Sequence, residues 1–218
     1  MEQPILGLSY QQNLWQKEMG YKSIATAIPI QKAGALGIDY THFGNLDYYQ
    51  QKVSLSQGLT IVEEYLALGI SLHYFSIGTS DPHYDPKRTM TLSLGLLSHL
   101  SEKLSLGLNI FNPTPLLSPH LSQEWLSCHI NLGATYSLSP DLLALAEIEK
   151  EFCRPMRLRL GLEYNYSQTL FGRIGMATKP VLYTLGIGYW HKNYAIGLAI
   201  QIHQVIGTTP QISIYYRF

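Results

Sequence analysis

The sequence predicts an all-β protein, a transmembrane, antiparallel, up-and-down β-barrel of about fourteen strands that occupies residues 1–218 as one domain. Three observations predict this fold. Large apolar residues recur at every second position from Ile24 to Phe218, the connections alternate between short and long, and the last strand ends in an aromatic residue. A period of two is that of a β-strand, whose successive side chains point to opposite faces of a sheet.

The alternation is clearest between Tyr65 and Ser76. The even positions from 66 to 74 carry Leu, Leu, Ile, Leu and Tyr, whereas the odd positions from 67 to 73 carry Ala, Gly, Ser and His. A soluble sandwich or calycin also alternates, but its exposed face normally carries Lys, Glu, Arg and Gln. An apolar face opposite a face of small and polar residues favours a closed barrel in lipid, where every backbone polar group must pair within the sheet.

The individual strands follow from this alternation and from the turn residues between them. Most are close to the roughly nine to eleven residues with which a tilted strand crosses a bilayer, and the first has the weakest pattern. The predicted strands are Ile5–Gln11, Lys22–Ile30, Gly34–Phe43, Gln51–Ile61, Tyr65–Gly78, Thr89–His99, Lys103–Phe111, Leu126–Leu138, Leu142–Glu151, Met156–Ser167, Phe171–Ala177, Val181–Trp190, Tyr194–Val205 and Gln211–Phe218.

The predicted connections provide a second signal, because short and long ones alternate along the chain. Outer-membrane barrels have short periplasmic turns and longer extracellular loops, and an even strand count then places both termini in the periplasm. The short connections are 31–33, 62–64, 100–102, 139–141, 168–170 and 191–193, and the longest are Asn13–Tyr21, Thr79–Arg88 and Asn112–Trp125.

Composition narrows the class of protein. Charged residues make up 14% of the chain, against a usual quarter, and no apolar stretch approaches the length of a spanning helix. The formal net charge is zero, so we expect membrane lipid and no nucleic acid as a partner. We expect no disulfide, because Cys128 falls on the lipid-facing side of a predicted strand and Cys153 in a turn. The residues after Met1 lack the features of a signal peptide, so we expect a mature or N-terminally trimmed form.

Charged residues of three consecutive predicted strands fall on the inward parity. A turn at 152–154 would set Glu149 opposite Arg157 and Glu147 opposite Arg159. These charges are expected to face inward, because an Arg that faces lipid at the midplane costs roughly 2–4 kcal/mol. Two interpretations stay open, a structural ladder that fills the lumen and a charged constriction or binding surface in a pore. The predicted ladder consists of Glu147, Glu149, Glu151, Arg157, Arg159, Glu163 and Arg173.

Three histidines, His73, His129 and His203, also have inward parity. They lie on different strands without the convergent spacing of a metal site, so we expect no metal. The chain has no nucleophile elbow, zinc-protease motif or phosphate-binding loop, so we expect neither an enzyme nor a cofactor.

Aromatic residues near the strand ends are typical of the girdles at the two membrane interfaces. The last strand ends with Tyr216 and Phe218, which resemble the C-terminal signal read by the outer-membrane assembly machinery of bacteria. We therefore expect that machinery to be a partner. The predicted girdle residues are Tyr40, Phe43, Tyr74, Tyr136, Tyr164, Tyr166, Tyr189, Tyr194 and Tyr216.

A series of short segments gives a further indication through their order and spacing. They are Leu104–Gly107, Asn112–Thr114, Leu145–Lys150, Arg157–Tyr164, Arg173–Gly175, Leu185–Gly188, Tyr194–Ala195, His203, Ile206–Gly207, Thr209–Ser213 and Tyr216–Phe218. In this arrangement the chain resembles the short outer-membrane barrels of Bacteroidota in the FadL-like and PorV/PorQ-like group.

The resemblance implies a non-enzymatic outer-membrane barrel with one of two roles. The first is an accessory barrel that binds secretion-system or surface proteins, as PorV and PorQ do in type IX secretion. The second is a FadL-like channel or transporter for small hydrophobic molecules. The chain departs from the group in two ways: it is far shorter than FadL, and we expect it to lack the N-terminal segment that lies inside or beneath such barrels.

Overall fold

Fourteen antiparallel strands close into one barrel within the residues that the structure describes. A computed structural model describes residues 3–13, 19–30, 34–45, 47–63, 65–81, 83–117, 126–152, 154–167, 169–205 and 207–218. Each strand pairs with its neighbours in sequence, and β1 closes the sheet by pairing with β14. The predicted fold class is therefore confirmed.

The observed elements are close to the predicted ones. They are β1 (Ile5–Gln12), β2 (Gly20–Ile30), β3 (Gly34–Gly44), β4 (Tyr48–Val62), β5 (Leu66–Thr79), β6 (Lys87–His99), β7 (Leu104–Phe111), α1 (Thr114–Leu117), β8 (His129–Ser139), β9 (Leu142–Glu151), β10 (Arg157–Tyr166), β11 (Leu170–Ala177), β12 (Leu182–His191), β13 (Tyr194–His203) and β14 (Gly207–Arg217). In the part of the chain that the structure describes, no helix is long and apolar enough to cross a membrane.

The largest boundary differences, three residues at the starts of β4 and β8 and four at the start of β14, lie at one rim of the barrel. Strand β4 begins at Tyr48 because its first residues pair with Thr79 and Gly78 of β5, although they do not alternate. Strand β8 begins only at His129, and the Leu126 carbonyl before it accepts a hydrogen bond from Asn112 Nδ2 at 2.7 Å. The rim is thus set by cross-strand pairing rather than by alternation.

The two ends of the barrel differ in the length of their connections. The end that we call the short-turn end has the connections 31–33, 63–65, 100–103, 140–141, 167–169 and 192–193, and the opposite, long-loop end has 13–19, 45–47, 80–86, 112–128, 152–156, 178–181 and 204–206. Ile5 pairs with Arg217, and the Phe218 N–H donates a hydrogen bond to the Pro4 carbonyl at 3.0 Å. Both ends of the described chain therefore lie at the short-turn end.

The two faces of the sheet are distinguished by contacts that cross a strand. Phe111 of β7 lies 5.4 Å from the His73 ring and 5.9 Å from the Phe75 ring of β5, centroid to centroid, with β6 between them. Side chains of non-adjacent strands converge only on the concave face, so these residues face the lumen. Residues of the other parity, such as Ile70 with 51% of its surface exposed, form the outer face. The predicted orientation of β5 agrees with this arrangement.

Two expectations about individual residues are wrong. Phe43 lies on the inner face, where its ring centroid is 4.4 Å from that of Tyr21, and so it cannot belong to an outer aromatic girdle. Cys128 precedes β8 and is buried, with 1% of its surface exposed, rather than facing lipid from a strand. Cys153 lies outside the described residues, so the absence of a disulfide stays a prediction.

Candidate functional site in the barrel lumen

The predicted charge ladder lies between β9 and β10 on the inner face. The register sets Arg157 opposite Glu149 and Arg159 opposite Glu147, as the sequence predicts. Arg157 Nη1 is 3.2 Å from Glu149 Oε1, and Arg159 Nη1 is 2.9 Å from Glu147 Oε1. Arg159 Nη2 also donates to Glu149 Oε2. Glu149 therefore joins both guanidinium groups into one network.

The ladder reaches the long-loop end of the barrel. Glu151, the last residue of β9, is opposite His129 of β8 and forms an ion pair with Arg154 at 3.2 Å. Arg154 lies in the connection 152–156 and was not predicted as a member, because parity arguments do not extend into a loop. It adds a third cation to the three carboxylates of β9, so the ladder pairs each carboxylate with a cation.

A second ion pair lies one strand further on. Arg173 of β11 is opposite Glu163 of β10, and its Nε donates to Glu163 Oε2. The Arg173 guanidinium also lies over the Phe171 ring, 4.4 Å from the centroid. Its side chain is still 59% exposed, although it points into the barrel. Water therefore reaches this pair from the lumen.

His73 belongs to a hydrogen-bonded chain between β3 and β6. Ser54 Oγ donates to Asp39 Oδ2 at 3.0 Å, and Lys52 Nζ is 3.3 Å from the same oxygen. Because the single hydroxyl proton of Ser54 is used, His73 Nδ1 donates to Ser54 Oγ at 2.8 Å. Nε2 lies 2.7 Å from Ser93 Oγ and accepts its proton when the ring is neutral, so the neutral form of His73 is the Nδ1–H tautomer.

Aromatic contacts connect the hydrogen-bonded residues around His73 to the charge ladder. Phe111 lies against His73 on one side and against His129, at 5.9 Å between centroids, on the other. His129 is in turn opposite Glu151. Polar and aromatic side chains thus run around the lumen from β3 to β11, and we call this set the lumen belt. Its members are Asp39, Lys52, Ser54, His73, Phe75, Ser93, Phe111, His129, Glu147, Glu149, Glu151, Arg157, Arg159, Glu163 and Arg173.

Sequence reasoning missed the half of the lumen belt that surrounds His73. Asp39, Ser54, Ser93 and Phe75 share the inward parity, and this was the signal that could have found them. His203 was predicted with the other histidines but lies at the long-loop rim, where its Nδ1 accepts a hydrogen bond from the Val205 N–H at 3.0 Å. The three histidines therefore do not form one group.

The long-loop end also carries charges outside the strands. In the loop 80–86, the backbone N–H and the ring Nδ1 of His83 both lie 2.9 Å from Asp81 Oδ1. The hydrogen bonds from His83 lower the pKa of the Asp81 carboxyl. This carboxylate at the long-loop end therefore stays ionised to a lower pH than an ordinary aspartate.

The chemistry that the lumen belt supports is electrostatic. Ser93 and His73 are in contact, but they are only 7% and 8% exposed, which leaves no space for a substrate at the hydroxyl. Within the described residues, no group of three or more His, Cys, Asp or Glu side chains could hold a metal ion. The exposed ion pairs, in contrast, meet any solute that enters the lumen.

The predicted assembly signal lies on the outer face at the short-turn end. The Tyr216 ring is 4.8 Å from the rings of Tyr194 and Phe218, centroid to centroid. Phe218 follows the end of β14 and is 59% exposed. These rings are accessible from the membrane side of the barrel.

Comparison with known proteins gives matches at the level of structure. No family model and no sequence of a curated protein matches the chain. The outer membrane protein Omp33 of Acinetobacter baumannii has a TM-score of 0.63 at 9% identity, with 100% of this chain and 98% of that chain covered. The KdgM porin has a TM-score of 0.57 at 9% identity, with 98% and 99% covered. A mutant of the Rh. blastica porin has a TM-score of 0.52 at 8% identity, with 99% of each chain covered.

The similarity to these structures extends over nearly the whole length of each chain. At identities below one tenth, it shows a shared fold. The chain therefore has the closed, porin-like barrel fold of outer-membrane proteins.

Proposed function

We propose that this protein is a porin-like channel that lets small polar solutes diffuse across the outer membrane of a bacterium. The observation that carries the proposal is the water-accessible ion pair of Arg173 and Glu163 in a lumen lined by further charged pairs. Paired charges with exposed faces provide polar contacts for a passing solute without a fixed excess of either sign. Two of the similar structures are porins by name, which agrees with this role.

The proposed orientation follows from the ends of the barrel. Short turns face the periplasm and long loops face outward in outer-membrane barrels. We therefore place the short-turn end, with Pro4 and Phe218, in the periplasm. The pairs of Glu147, Glu149 and Glu151 then lie toward the extracellular side, since Glu151 and Arg157 are at the long-loop ends of their strands, whereas the Glu163–Arg173 pair lies nearer the short-turn end.

The two roles implied by the sequence resemblance have different support. A FadL-like path for hydrophobic molecules would need an apolar lumen, whereas every acidic side chain of the described strands points inward. The role of an accessory barrel in secretion, in the manner of PorV and PorQ, rests on the resemblance alone. Affinity purification of the full chain from its own membrane, with identification of stoichiometric partners, is the measurement for that role.

The channel is tested by two matched substitutions in one ion pair. The full chain is reconstituted into planar bilayers, and the zero-current potential is measured across a KCl gradient. Arg173→Gln leaves Glu163 unpaired and should shift selectivity toward cations, whereas Glu163→Gln leaves Arg173 unpaired and should shift it toward anions. Lys150→Gln, on the outer face, is the control and should leave the potential unchanged.

The opposite signs make the experiment decisive. A contaminating porin would give the same potential for every variant, so opposite shifts also identify the source of the current. If the protein inserts without conductance, or if both variants keep the wild-type potential, ions do not pass this pair and the channel proposal is wrong.

A further inference from the structure

The outer face of β1–β6 carries an unexpected row of polar side chains near the long-loop end. The residues are direct cross-strand partners of one another, so they form one continuous line over six strands. We call this line the outer polar row, and it consists of Tyr10, Lys22, His42, Gln51, Ser76 and Arg88.

The row is not a general feature of this rim. On β10–β13, the outward residues that stand next to the end of each strand on the same side are Leu158, Met176, Tyr183 and Ile202. These are the apolar and aromatic residues expected against lipid. The outer polar row therefore marks one side of the barrel.

The charge on the outer face has one sign. In the strands that the structure describes, all acidic side chains face the lumen, whereas Lys22, Arg88 and Lys150 face outward. Lys150 Nζ donates to the Arg154 carbonyl at 2.6 Å. Among the described residues, Lys22 and Arg88 take part in no ion pair. Within the described part of the chain, their charge is therefore available to a group outside the protein.

A groove is lined in part by three residues of the row, Tyr10, Lys22 and His42. It has a volume of about 510 Å³ and is lined by Leu8, Ile24 and Ile214, with Lys22 and His42 at the end toward the long loops. The apolar residues are exposed, Ile24 to 45% and Ile214 to 43%. The groove therefore combines an apolar floor with a cationic upper end, and it opens toward the membrane.

We propose that this groove binds an anionic membrane lipid whose headgroup ends in a phosphate monoester, as in phosphatidate. The phosphate lies against Lys22 and His42, and an acyl chain lies along Leu8, Ile24 and Ile214. Charge-assisted hydrogen bonds from a cation to phosphate are among the strong ones, and burial of a chain in the groove adds an apolar contribution. The inference goes beyond channel activity, because it requires only that the barrel stands in a membrane.

The test measures lipid binding directly. The full chain in mild detergent is titrated with dioleoylphosphatidate, with dioleoylphosphatidylcholine and with inorganic phosphate, and bound molecules are counted by native mass spectrometry. Phosphatidate should bind about tenfold more tightly than phosphatidylcholine, because hydrogen bonds to charged groups have that order of strength. Lys22→Gln combined with His42→Gln should remove most of this preference. Lys150→Gln removes a cation from the outer face elsewhere and should leave it unchanged.

A second variant covers the case in which the double substitution impairs folding. Ile24→Trp fills the groove without changing the charge, and it should weaken binding of both lipids. An equal loss in Lys150→Gln would show attraction to charge anywhere on the surface and overturn the site. Full competition by equimolar inorganic phosphate would overturn the assignment to a lipid. Unchanged lipid binding in the groove variants would overturn both the location of the site and its assignment to a lipid.

Discussion

Each strand residue of this barrel faces either lipid or lumen, and consecutive residues therefore tolerate opposite substitutions. Leu68 is on the outer face and 42% exposed. Gly69 faces the lumen, where a Cβ atom would meet only the Gln57 carbonyl oxygen at 3.8 Å. A polar side chain is therefore unfavourable at position 68, which faces lipid, and is accommodated at position 69, which faces the lumen.

We expect Leu68→Arg to destabilise the barrel in lipid by about 2–4 kcal/mol, because a guanidinium would be placed in the hydrocarbon region. Gly69→Ser should change stability by less than about 1 kcal/mol, since it adds a hydroxyl to a wet surface. Urea titration of both variants folded into vesicles measures the difference. Equal stability of the two variants would show that the faces are assigned the wrong way round.

At the scale of the strand, the hairpin β11–β12 shows how inner side chains stack. Phe171 lies across Gly188 of the neighbouring strand, and a Cβ atom at Gly188 would be 1.9 Å from the ring Cζ. The same ring lies under the Arg173 guanidinium. The missing side chain at Gly188 is therefore what allows the ring, and through it the Arg173 side chain, to take its position.

Gly188→Ala should push the Phe171 ring away and destabilise the barrel by about 1–3 kcal/mol, the usual cost of overpacking. Gly172→Ala is the matched control, because nothing lies within 4 Å of a Cβ atom there. Thermal unfolding in detergent compares the two. The prediction fails if Gly172→Ala is as destabilising as Gly188→Ala.

The strands could be predicted because lipid constrains every residue of each one. The ladder could also be predicted, since a short connection between β9 and β10 leaves few registers for Glu149 and Arg157. The His73 network could not, because serines and an aspartate on inward parity look like ordinary lumen residues. Their contacts depend on the register of β4 with β5, which shifts between Thr60 and Val62. Local patterns do not encode such a shift.

At the scale of the whole molecule, the barrel separates charge. The acidic side chains of the described strands are inside, and the cations of the outer polar row, which form no ion pair among the described residues, are outside near the long-loop end. In our proposals, the lumen belt contacts solutes that pass through the barrel, and the outer polar row contacts lipid. Substitutions in one set should therefore leave the function of the other unchanged.

The pairing of β1 with β14 closes the barrel, and this closure is also a step in its folding. Ring closure joins residues from opposite ends of the sequence, such as Ile5 and Arg217, and long-range closure is entropically the most costly contact. We expect this pair of strands to form last. The position of the seam is then a property of connectivity and not of the folded structure.

A circular permutant separates the effect of chain connectivity from the effect of the folded structure. Since the Phe218 N–H bonds to the Pro4 carbonyl, a short linker can join these ends, with new termini opened in the loop 80–86. Its stability to urea should stay within about 1 kcal/mol of the original, because the same contacts form. Disulfide trapping between engineered cysteine pairs during folding should find β5–β6 closing last in the permutant and β1–β14 closing last in the original. If β1–β14 closes last in both, chain connectivity does not determine where the ring is sealed.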